Sequence, residues 1–599
     1  MNFKRKALFL FKLNQRRISC IRSFVLNFPY ISSSLNNMGK FDAELVKNHY
    51  FTRDETINKF KFINKHSIDE ENQTDKVPEF FEKFTMILPP PNVTGNLHVG
   101  HALTVVVEDS ICRFNKLLGK KILWIPGFDH AGIATQTVVE KQIYRKFGKK
   151  REEISNKEFL NYCENWKNER IDDITKQLNS LGCSLDWEHL FYTMDENFSN
   201  AVKSAFCRLH KFGLIKRETR LIQSFDEKEP SMKEQWFLQM TEMNKELLEY
   251  LENGNPWCLS RQLVWGHKIP AYFVENSKRW IVALSEEDAR KQLEPFEIES
   301  NLIQDSDVLD TWFSSSLIPI IIACWPKNEV SQNVIDLMET GHDIIGFWVA
   351  RMLVICKRLT GHYPFSNVLI HGLIRDSQNR KMSKSLGNVI DPMDIINGIQ
   401  LEQMIERMKT SNLPLEDIET SEKDLKKRFP NGIKACGADA LRFSMLRHDV
   451  TDFQIHVDIP RFADEGRRFC NKIWNMCKYS ERIFNALKNE IIDNDENIVN
   501  NSFILNENDK ILQEKLAQVV QLYFYFIIQA IDFTLKEIIS VTLTLLKTFL
   551  PFVSTFLLDV LNLNNFGEKN CSKMLKELPK LTDEEYQKIN FLIKINFSN

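Results

Sequence analysis

Phe84-Thr85-Met86-Ile87-Leu88-Pro89-Pro90-Pro91-Asn92-Val93-Thr94-Gly95-Asn96-Leu97-His98-Val99-Gly100-His101 passes from an apolar run, through turn-forming residues, into the start of a helix. Residues 84–88 read as a short buried strand, and Pro-Pro-Pro-Asn and Thr-Gly-Asn as turn chemistry. Helical periodicity runs from about Leu97 to Leu118, and residues 121–125 read as a second strand closed by Pro126-Gly127. Strand, loop, helix and strand in that order predict a parallel α/β sheet. Further along, residues 368–374 read as another buried strand and residues 341–359 have the spacing of a helix. Beyond Gly437 the chain reads as helical nearly to its end, with residues 489–501, rich in Asn, Asp and Glu, as a loop.

The opening of the first helix carries chemistry. His98 and His101 are three apart, so their side chains share one helical face. A helix N-terminus offers unpaired N–H groups and the positive end of a dipole, which together favour phosphate. Gly100 between them lets a ligand approach the backbone. Alone, such a motif reads equally well as a pair of capping histidines. A second cationic motif, Lys381-Met382-Ser383-Lys384-Ser385 followed by Gly387-Asn388, lies far downstream. Lysines on a loop that changes shape can follow negative charge as it moves onto a leaving pyrophosphate. The alternative reading is a solvated basic loop.

Both motifs, in this order, resemble the two ATP signatures of class I aminoacyl-tRNA synthetases. The flanking residues narrow the resemblance to the valyl-tRNA synthetases. They include Pro89-Pro90-Pro91-Asn92-Val93-Thr94-Gly95, the run from Trp124 to Gln136, Ser260-Arg261-Gln262-Leu263-Val264-Trp265-Gly266-His267, the run from Asp307 to Ser315, the run from Gly341 to Met352, and His371-Gly372-Leu373. The resemblance covers most of the chain from about Phe84 to Cys477.

It implies adenylyl transfer: the amino-acid carboxylate attacks the α-phosphorus of ATP, pyrophosphate leaves, and the aminoacyl group passes to tRNA(Val). It implies catalytic roles for His98, His101, Lys381 and Lys384, and an ATP site that adds Gly100, His371, Gly372 and Ser383. Mg²⁺ is expected on the phosphates. It implies a valine pocket of Pro90, Asn92, Asp129, Trp312, Ile344 and Trp348. The residues themselves support part of this. Asp129 stands in an apolar run, where a carboxylate suits a substrate ammonium. Ile344 and Trp348, four apart, would share a helical face, although that spacing alone equally describes plain helix core. Arg461, Arg467, Arg468 and Lys472 could contact tRNA phosphates, or form a solvated helix face.

The implied fold class is α/β: a split Rossmann-like parallel-sheet catalytic domain with a C-terminal all-helical bundle domain. The expected boundaries are a transit peptide at 1–41, an extension at 42–78, catalytic halves at 79–222 and 258–395 around a shortened insertion at 223–257, a stem-contact connector at 396–460, and a helical anticodon-binding-like domain at 461–599. Residues 1–41 hold Lys4, Arg5, Lys6, Lys12, Arg16, Arg17 and Arg22 with no acidic residue. That is the pattern of a mitochondrial transit peptide, and it predicts a matrix protein; a start at Met38 would give a cytosolic product.

In the resemblance a hydrolytic editing domain stands between the catalytic halves. Here residues 213–222 match the family before that insert, and Ser224, Glu229-Pro230 and Gln235-Trp236-Phe237 match it after. No folded domain fits between Ile222 and Ser224, so post-transfer editing is expected to be absent. The resemblance also fades in the C-terminal third after Arg467-Arg468-Phe469-Cys470-Asn471-Lys472-Ile473-Trp474-Asn475, returning briefly at residues 545–552.

Bulk properties agree with a multi-domain globular chain. The 599 residues exceed what one core usually supports, and 78 basic against 80 acidic residues leave RNA contact to local patches. Twelve cysteines contain no C-x-x-C pair, which argues against structural zinc, and no protein-held metal is assigned. The longest apolar stretch near the C-terminus, residues 516–531, carries three glutamines and is too short to span a membrane. A monomer is expected. Three rivals remain: activation of another aliphatic amino acid, a non-catalytic RNA-binding paralogue, and a small nucleotidyltransferase.

Overall fold

The structure is a computed structural model. It describes residues 38–53, 82–222, 231–239, 256–330, 333–375, 389–409, 415–448, 450, 454–497, 543–544, 546–560 and 592–593. In chain order the elements that position the site are α1 (Ala43–Arg53), β1 (Lys83–Ile87), α2 (Val99–Leu117), β2 (Lys121–Ile125), β3 (Ile335–Gly341), α3 (Arg351–Thr360), β4 (Phe365–His371), α4 (Ala438–Leu446), α5 (Ile459–Asn497) and α6 (Pro551–Val560).

The central sheet has the order β4-β3-β1-β2, all parallel, with Leu592–Ile593 antiparallel on the β4 edge. Its two halves are far apart in sequence, because everything from Pro126 to Val334 is inserted between β2 and β3. β1 and β2 pair in register from Lys83↔Lys121 to Ile87↔Ile125. The strands lie one residue from the expected position at β1 and on it at β2.

α2 forms because Ala102, Leu103, Val105, Val106 and Val107 give it an apolar face, all buried. It ends where Gly119, at φ 87°, takes the left-handed conformation that follows many helices. That face packs in one core with Leu441, Met445, Trp474, Val553 and Leu557 of α4, α5 and α6. The opposite face of the sheet is covered by a second core, holding Met352, Leu353 and Ile355 of α3 with Phe206 and Trp236. Helices on both faces of a parallel sheet give the doubly wound arrangement.

α1 docks on the C-terminal helices. Val46 is buried, Phe41 meets Trp474 edge-on at 5.9 Å, and Lys478 Nζ donates to Met38 O at 2.6 Å. His49 Nε2 lies 2.8 Å from Asp559 Oδ2.

Four expectations need correction. Residues 341–359 are not one α-helix: Gly341 ends β3, His342–Ile344 is a 3₁₀ turn, Ile345–Ala350 is a π-helix and only then does α3 begin. The wider turn arises where a strand end must feed a helix across the sheet edge. Residues 368–374 are not one strand, because Gly372 donates to Val450 O at 2.9 Å and the chain leaves the sheet there. Leu373–Arg375 then pairs with Gln454–His456, a strand inside the region expected to be helical. Residues 489–497 continue α5 rather than forming a loop; Asn, Asp and Glu interrupt a helix only weakly where no glycine or proline stands among them.

Candidate active site

In a doubly wound sheet, ligands bind beyond the carboxyl ends of the strands, where the strand order reverses. Here that reversal falls between β1 and β3. The crevice is therefore bordered by the turn after β1, the N-terminus of α2, the 3₁₀ and π turns after β3, and the end of β4.

The α2 terminus is a reciprocal histidine cap. His98, extended at φ −122° and ψ 173°, accepts at Nδ1 from Gly100 N (3.1 Å) and His101 N (3.4 Å). His101 Nδ1 accepts in turn from His98 N at 3.1 Å. The rings stack with centroids 3.8 Å apart. Since a backbone N–H can only donate, both Nδ1 atoms are acceptors and the proton of each neutral ring sits on Nε2. Capping thus fixes both imidazoles as Nε2–H donors at a helix N-terminus, the arrangement phosphate oxygens need. The two sequence readings, cap and phosphate donor, coincide. Gly100 has a further role besides the one expected: a Cβ there would lie 2.8 Å from the His98 ring, so glycine makes room for the cap itself.

His371 closes β4, and its Nδ1 lies 2.7 Å from Gly372 O, which makes Nδ1 the donor. Its Nε2 lies 3.2 Å from Thr104 Oγ1, one turn beyond His101 on α2, and 3.2 Å from Glu339 Oε1 of β3. The structure therefore brings His98, His101, His371 and Gly372 to one edge of the sheet. Lys381, Ser383 and Lys384 lie outside the described residues.

Asp129 stands beside the turn after β1. Its backbone pairs with the turn, Asp129 N donating to Pro91 O and Val93 N to Asp129 O, both at 3.1 Å, with Asn92 bridged to it. The carboxylate is 5% exposed; Oδ1 accepts from Ala131 N at 2.7 Å and Oδ2 from Ser315 Oγ. Burial pushes its pKa up to about 6, against those two hydrogen bonds and with a further push from Asp310. Ala131, at φ 50°, holds a left-handed conformation that costs an alanine strain, which sharpens the turn behind the carboxylate.

Ser315 also links Asp129 to the apolar side. Trp348 Nε1 donates to Ser315 O at 3.2 Å, and Trp348 is buried. Ile344 packs half-buried on the same core, and Trp312 stacks on Phe347 at 6.4 Å. Pro90 lies half-buried in the turn and Asn92 is exposed. A carboxylate at one end and Trp, Ile and Trp at the other suit a small apolar amino acid. Behind Asp129 lies a buried neutral group: His130 Nδ1 meets Thr193 Oγ1 at 2.8 Å, His267 Nε2 meets Thr193 O at 2.6 Å, and burial pushes both histidines down to about 3.

Sequence reasoning did not single out Ser315, Thr104, Glu339 or Phe347. Ser315 and Phe347 lie inside recognised runs, so only their contacts were missing; Glu339 gave no signal, being one acidic residue in a strand.

The four basic residues of α5 are distant from this crevice in sequence, and the three arginines are already engaged. Arg461 pairs with Glu465 at 2.9 Å, and Arg467 and Arg468 with Asp464 at 2.5 and 2.7 Å; Lys472 is exposed. Exposed pairs of this kind contribute little, so phosphates could compete for the arginines. A cavity of about 290 Å³ lies near them, lined by Phe429, Gly432, Ile433, Cys436, Pro460 and Arg467. It gathers no histidine, and its two arginines, Arg428 and Arg467, are paired with Asp424 and Asp464, so the chemistry belongs at the strand ends.

Comparison with known proteins bears on this geometry. The family model for class I tRNA synthetases (I, L, M and V) matches residues 60–456. A protein named "Probable valine--tRNA ligase, mitochondrial" from Dictyostelium discoideum is 30% identical over 653 positions, covering 68% of this chain and 62% of the relative. The mitochondrial valine–tRNA ligase of Sus scrofa is 30% identical over 634, covering 69% and 59%, and the valine–tRNA ligase of Homo sapiens is 30% identical over 627, covering 67% and 50%. The chain thus spans about three fifths or less of these relatives' length. In the Dictyostelium alignment, more than a third of the 653 positions have no residue in this chain. Among solved structures, the LeuRS of an Agrobacterium radiobacter K84 LeuRS–tRNA–LeuAMS ternary complex superposes with a TM-score of 0.56 at 14% identity, over 88% of this chain and 89% of that one, a likeness of fold.

Proposed function

The chain belongs to the class I tRNA synthetases, and on that premise we propose that it is a valine–tRNA ligase. Its substrates are valine, ATP as the magnesium complex, and tRNA(Val). The observation that carries the reading is the pairing, at one sheet edge, of the His98–His101 donor cap with the buried Asp129 beside an apolar wall. Asp129 takes the valine ammonium, while Trp312, Ile344, Trp348 and Pro90 border the isopropyl group. This leaves the valine carboxylate facing the nucleotide. His98 and His101 donate through Nε2 to the phosphates, and Lys381 and Lys384 take charge developing on pyrophosphate. The acceleration comes from positioning and charge stabilisation. The carboxylate oxygen bonds to the α-phosphorus as the bond to pyrophosphate breaks; the tRNA terminal hydroxyl then displaces AMP. His371, Gly372, Gly100 and Ser383 complete the nucleotide side, and Asn92 the amino-acid side. Arg461, Arg467, Arg468 and Lys472 are offered as phosphate contacts for the tRNA.

The working compartment is proposed as the mitochondrial matrix, on the basic N-terminal segment and the mitochondrial names among the relatives. A monomer suffices, since every assigned group lies on one chain. Post-transfer editing is proposed to be absent: the hairpin Ile215–Ile222/Ser231–Leu238 is paired to its last residues, Ile222↔Ser231, leaving eight residues between.

The test is ATP–pyrophosphate exchange with valine, isoleucine and threonine, followed by aminoacylation of tRNA(Val) transcripts. Valine-dependent exchange lost by at least about a hundredfold in Lys384→Ala, the scale of one transition-state donor, is the expected result. Exchange unchanged in that variant, or strongest with isoleucine, overturns the reading.

A further inference from the structure

Behind the nucleotide edge of the sheet lies a group that the reaction above does not use. Glu108 on α2 and Glu339 on β3 are both fully buried, at 0% exposure. Glu108 Oε1 has no hydrogen-bond partner among the described residues, and neither oxygen of Glu339 makes a well-aligned one, although the Thr104 hydroxyl lies near enough to act on it. The other oxygen of Glu108, Oε2, accepts from Trp124 Nε1 of β2 at 2.8 Å. The contact of Glu339 Oε1 with His371 Nε2 is 3.2 Å, within ionic range but off the line of a hydrogen bond.

Two carboxylates cannot both stay ionised in such a place. An unpaired buried charge is costly, and a second beside it more so. Burial and then the charge of Glu339 push Glu108 well above the usual carboxyl range, against the Trp124 bond. Burial also pushes Glu339 up, but His371 and the Thr104 hydroxyl pull against it. The asymmetry assigns the roles: Glu108 has a neutral indole N–H as its only donor among the described residues, whereas Glu339 faces an imidazole. Glu108 therefore holds its proton to higher pH than Glu339.

We propose that Glu339 is a positioning residue for the nucleotide site, fixing with Thr104 the ring of His371 at the end of β4, while Glu108 completes a buried acid pair behind it. The proposal rests on the ligase reading. His371 is 8% exposed and lies at the sheet edge that carries the His98–His101 cap. With Nδ1 committed to Gly372 O, ring orientation depends on what Nε2 meets, which is Thr104 and Glu339. Other titratable groups around the pair are Cys112 and Asp109 on α2 and Cys183 just after the helix Asn156–Ser180; burial pushes both thiols well up, and Asp109 is engaged by Arg113 and Arg442.

The experiment is ATP binding by calorimetry to the full chain, with ATP–pyrophosphate exchange in parallel, for wild type, Glu339→Gln, Thr104→Val and Thr104→Ser. Glu339→Gln is expected to weaken ATP about tenfold while KM for valine stays within twofold. Thr104→Val should weaken ATP about threefold and Thr104→Ser should restore it. Melting of Glu108→Gln tests the acid pair separately. A neutral amide mimics the protonated acid, so its melting temperature should fall less than that of wild type from pH 6 to pH 9. ATP affinity equal to wild type in both Glu339→Gln and Thr104→Val overturns the positioning role, and identical pH dependence in Glu108→Gln overturns the proton held on Glu108. Should Glu339→Gln not fold, the Thr104→Val and Thr104→Ser pair decides the positioning role. Wild-type protein that binds no ATP overturns the ligase reading itself, a result distinct from those of the variants.

Discussion

At the residue scale, Asp129 joins a charge to an environment that resists it. Its carboxyl is raised to about 6 chiefly by burial, and only the ionised form attracts an ammonium. Below pH 6 the protonated form dominates, so kcat/KM for valine should fall about tenfold per pH unit there and level off above. Asp129→Asn, which keeps the shape but not the charge, should lower kcat/KM by on the order of 10²-fold, within the 2–5 kcal/mol cost of truncating a buried hydrogen-bonded charge pair. Amino-acid-dependent exchange measured from pH 5 to 8 checks both; a flat profile removes Asp129 from ammonium recognition. Asp129 was legible in the sequence because a lone carboxylate in an apolar run is conspicuous. Its support was not. Ser315 lies 186 positions away, and a hydroxyl that hydrogen-bonds a carboxylate carries no mark in the sequence until the two elements meet. Glu339, separated from Glu108 by the whole insertion, was hidden for the same reason.

At the element scale, α2 connects chemistry to architecture. Its N-terminus holds the imidazoles, its second turn Thr104, its middle Glu108, and its far half Asp109 and Arg113. Asp109 and Arg442 of α4 form a fully buried ion pair. Arg442 also donates to Leu181 O and Phe549 O, while Asp439 accepts from Phe552 N and Val553 N at the start of α6. Burial pushes Asp109 up, but Arg113 and Arg442 more than reverse it and hold it below the usual range. The stabilisation is therefore present above the unfolded carboxyl pKa, about 3.9, and is lost as pH falls through the lowered folded value. Arg442→Met leaves Asp109 with Arg113 as its one cationic partner, beside its Ser184 hydrogen bonds, and takes a donor from the carbonyls of Leu181, Thr548 and Phe549. Breaking one side of a buried pair typically costs about 3–5 kcal/mol, so a lower urea midpoint at pH 7 is expected, with the gap from wild type narrowing toward pH 3. A midpoint within about 0.2 M of wild type, on the order of what a surface change gives, counts against the strut. The periodicity of α2 was readable because its burial is one-sided. The turn after β3 was not, since the apolar spacing of residues 345–350 reads alike for an α-helix and for the π-helix they form.

At the scale of the whole molecule, a doubly wound sheet split by a long insertion is joined to α4, α5 and α6 through one continuous core. The hairpin Ile215–Ile222/Ser231–Leu238 is closed where the resemblance leads one to expect a hydrolytic domain. Discrimination between amino acids then falls to the pocket. Threonine differs from valine by a hydroxyl in place of a methyl, and an apolar pocket rejects such an isostere poorly; this pair is itself the case from which the limit of roughly 10²-fold is drawn. The described wall, Trp312, Ile344 and Trp348, has the Trp348 indole N–H already committed to Ser315 O. That N–H is therefore not available to sort hydroxyl from methyl. Given threonine alone, the purified chain should charge tRNA(Val) slowly and the Thr-tRNA should persist with the half-life of its spontaneous hydrolysis. AMP should form in step with charged tRNA, because no cycle of charging and cleavage consumes extra ATP. Radiolabelled threonine with parallel AMP measurement reads both quantities. Rapid deacylation of preformed Thr-tRNA(Val), or AMP released in large excess over charged tRNA, would place a hydrolytic activity in this chain, and the closed hairpin would then no longer account for its specificity.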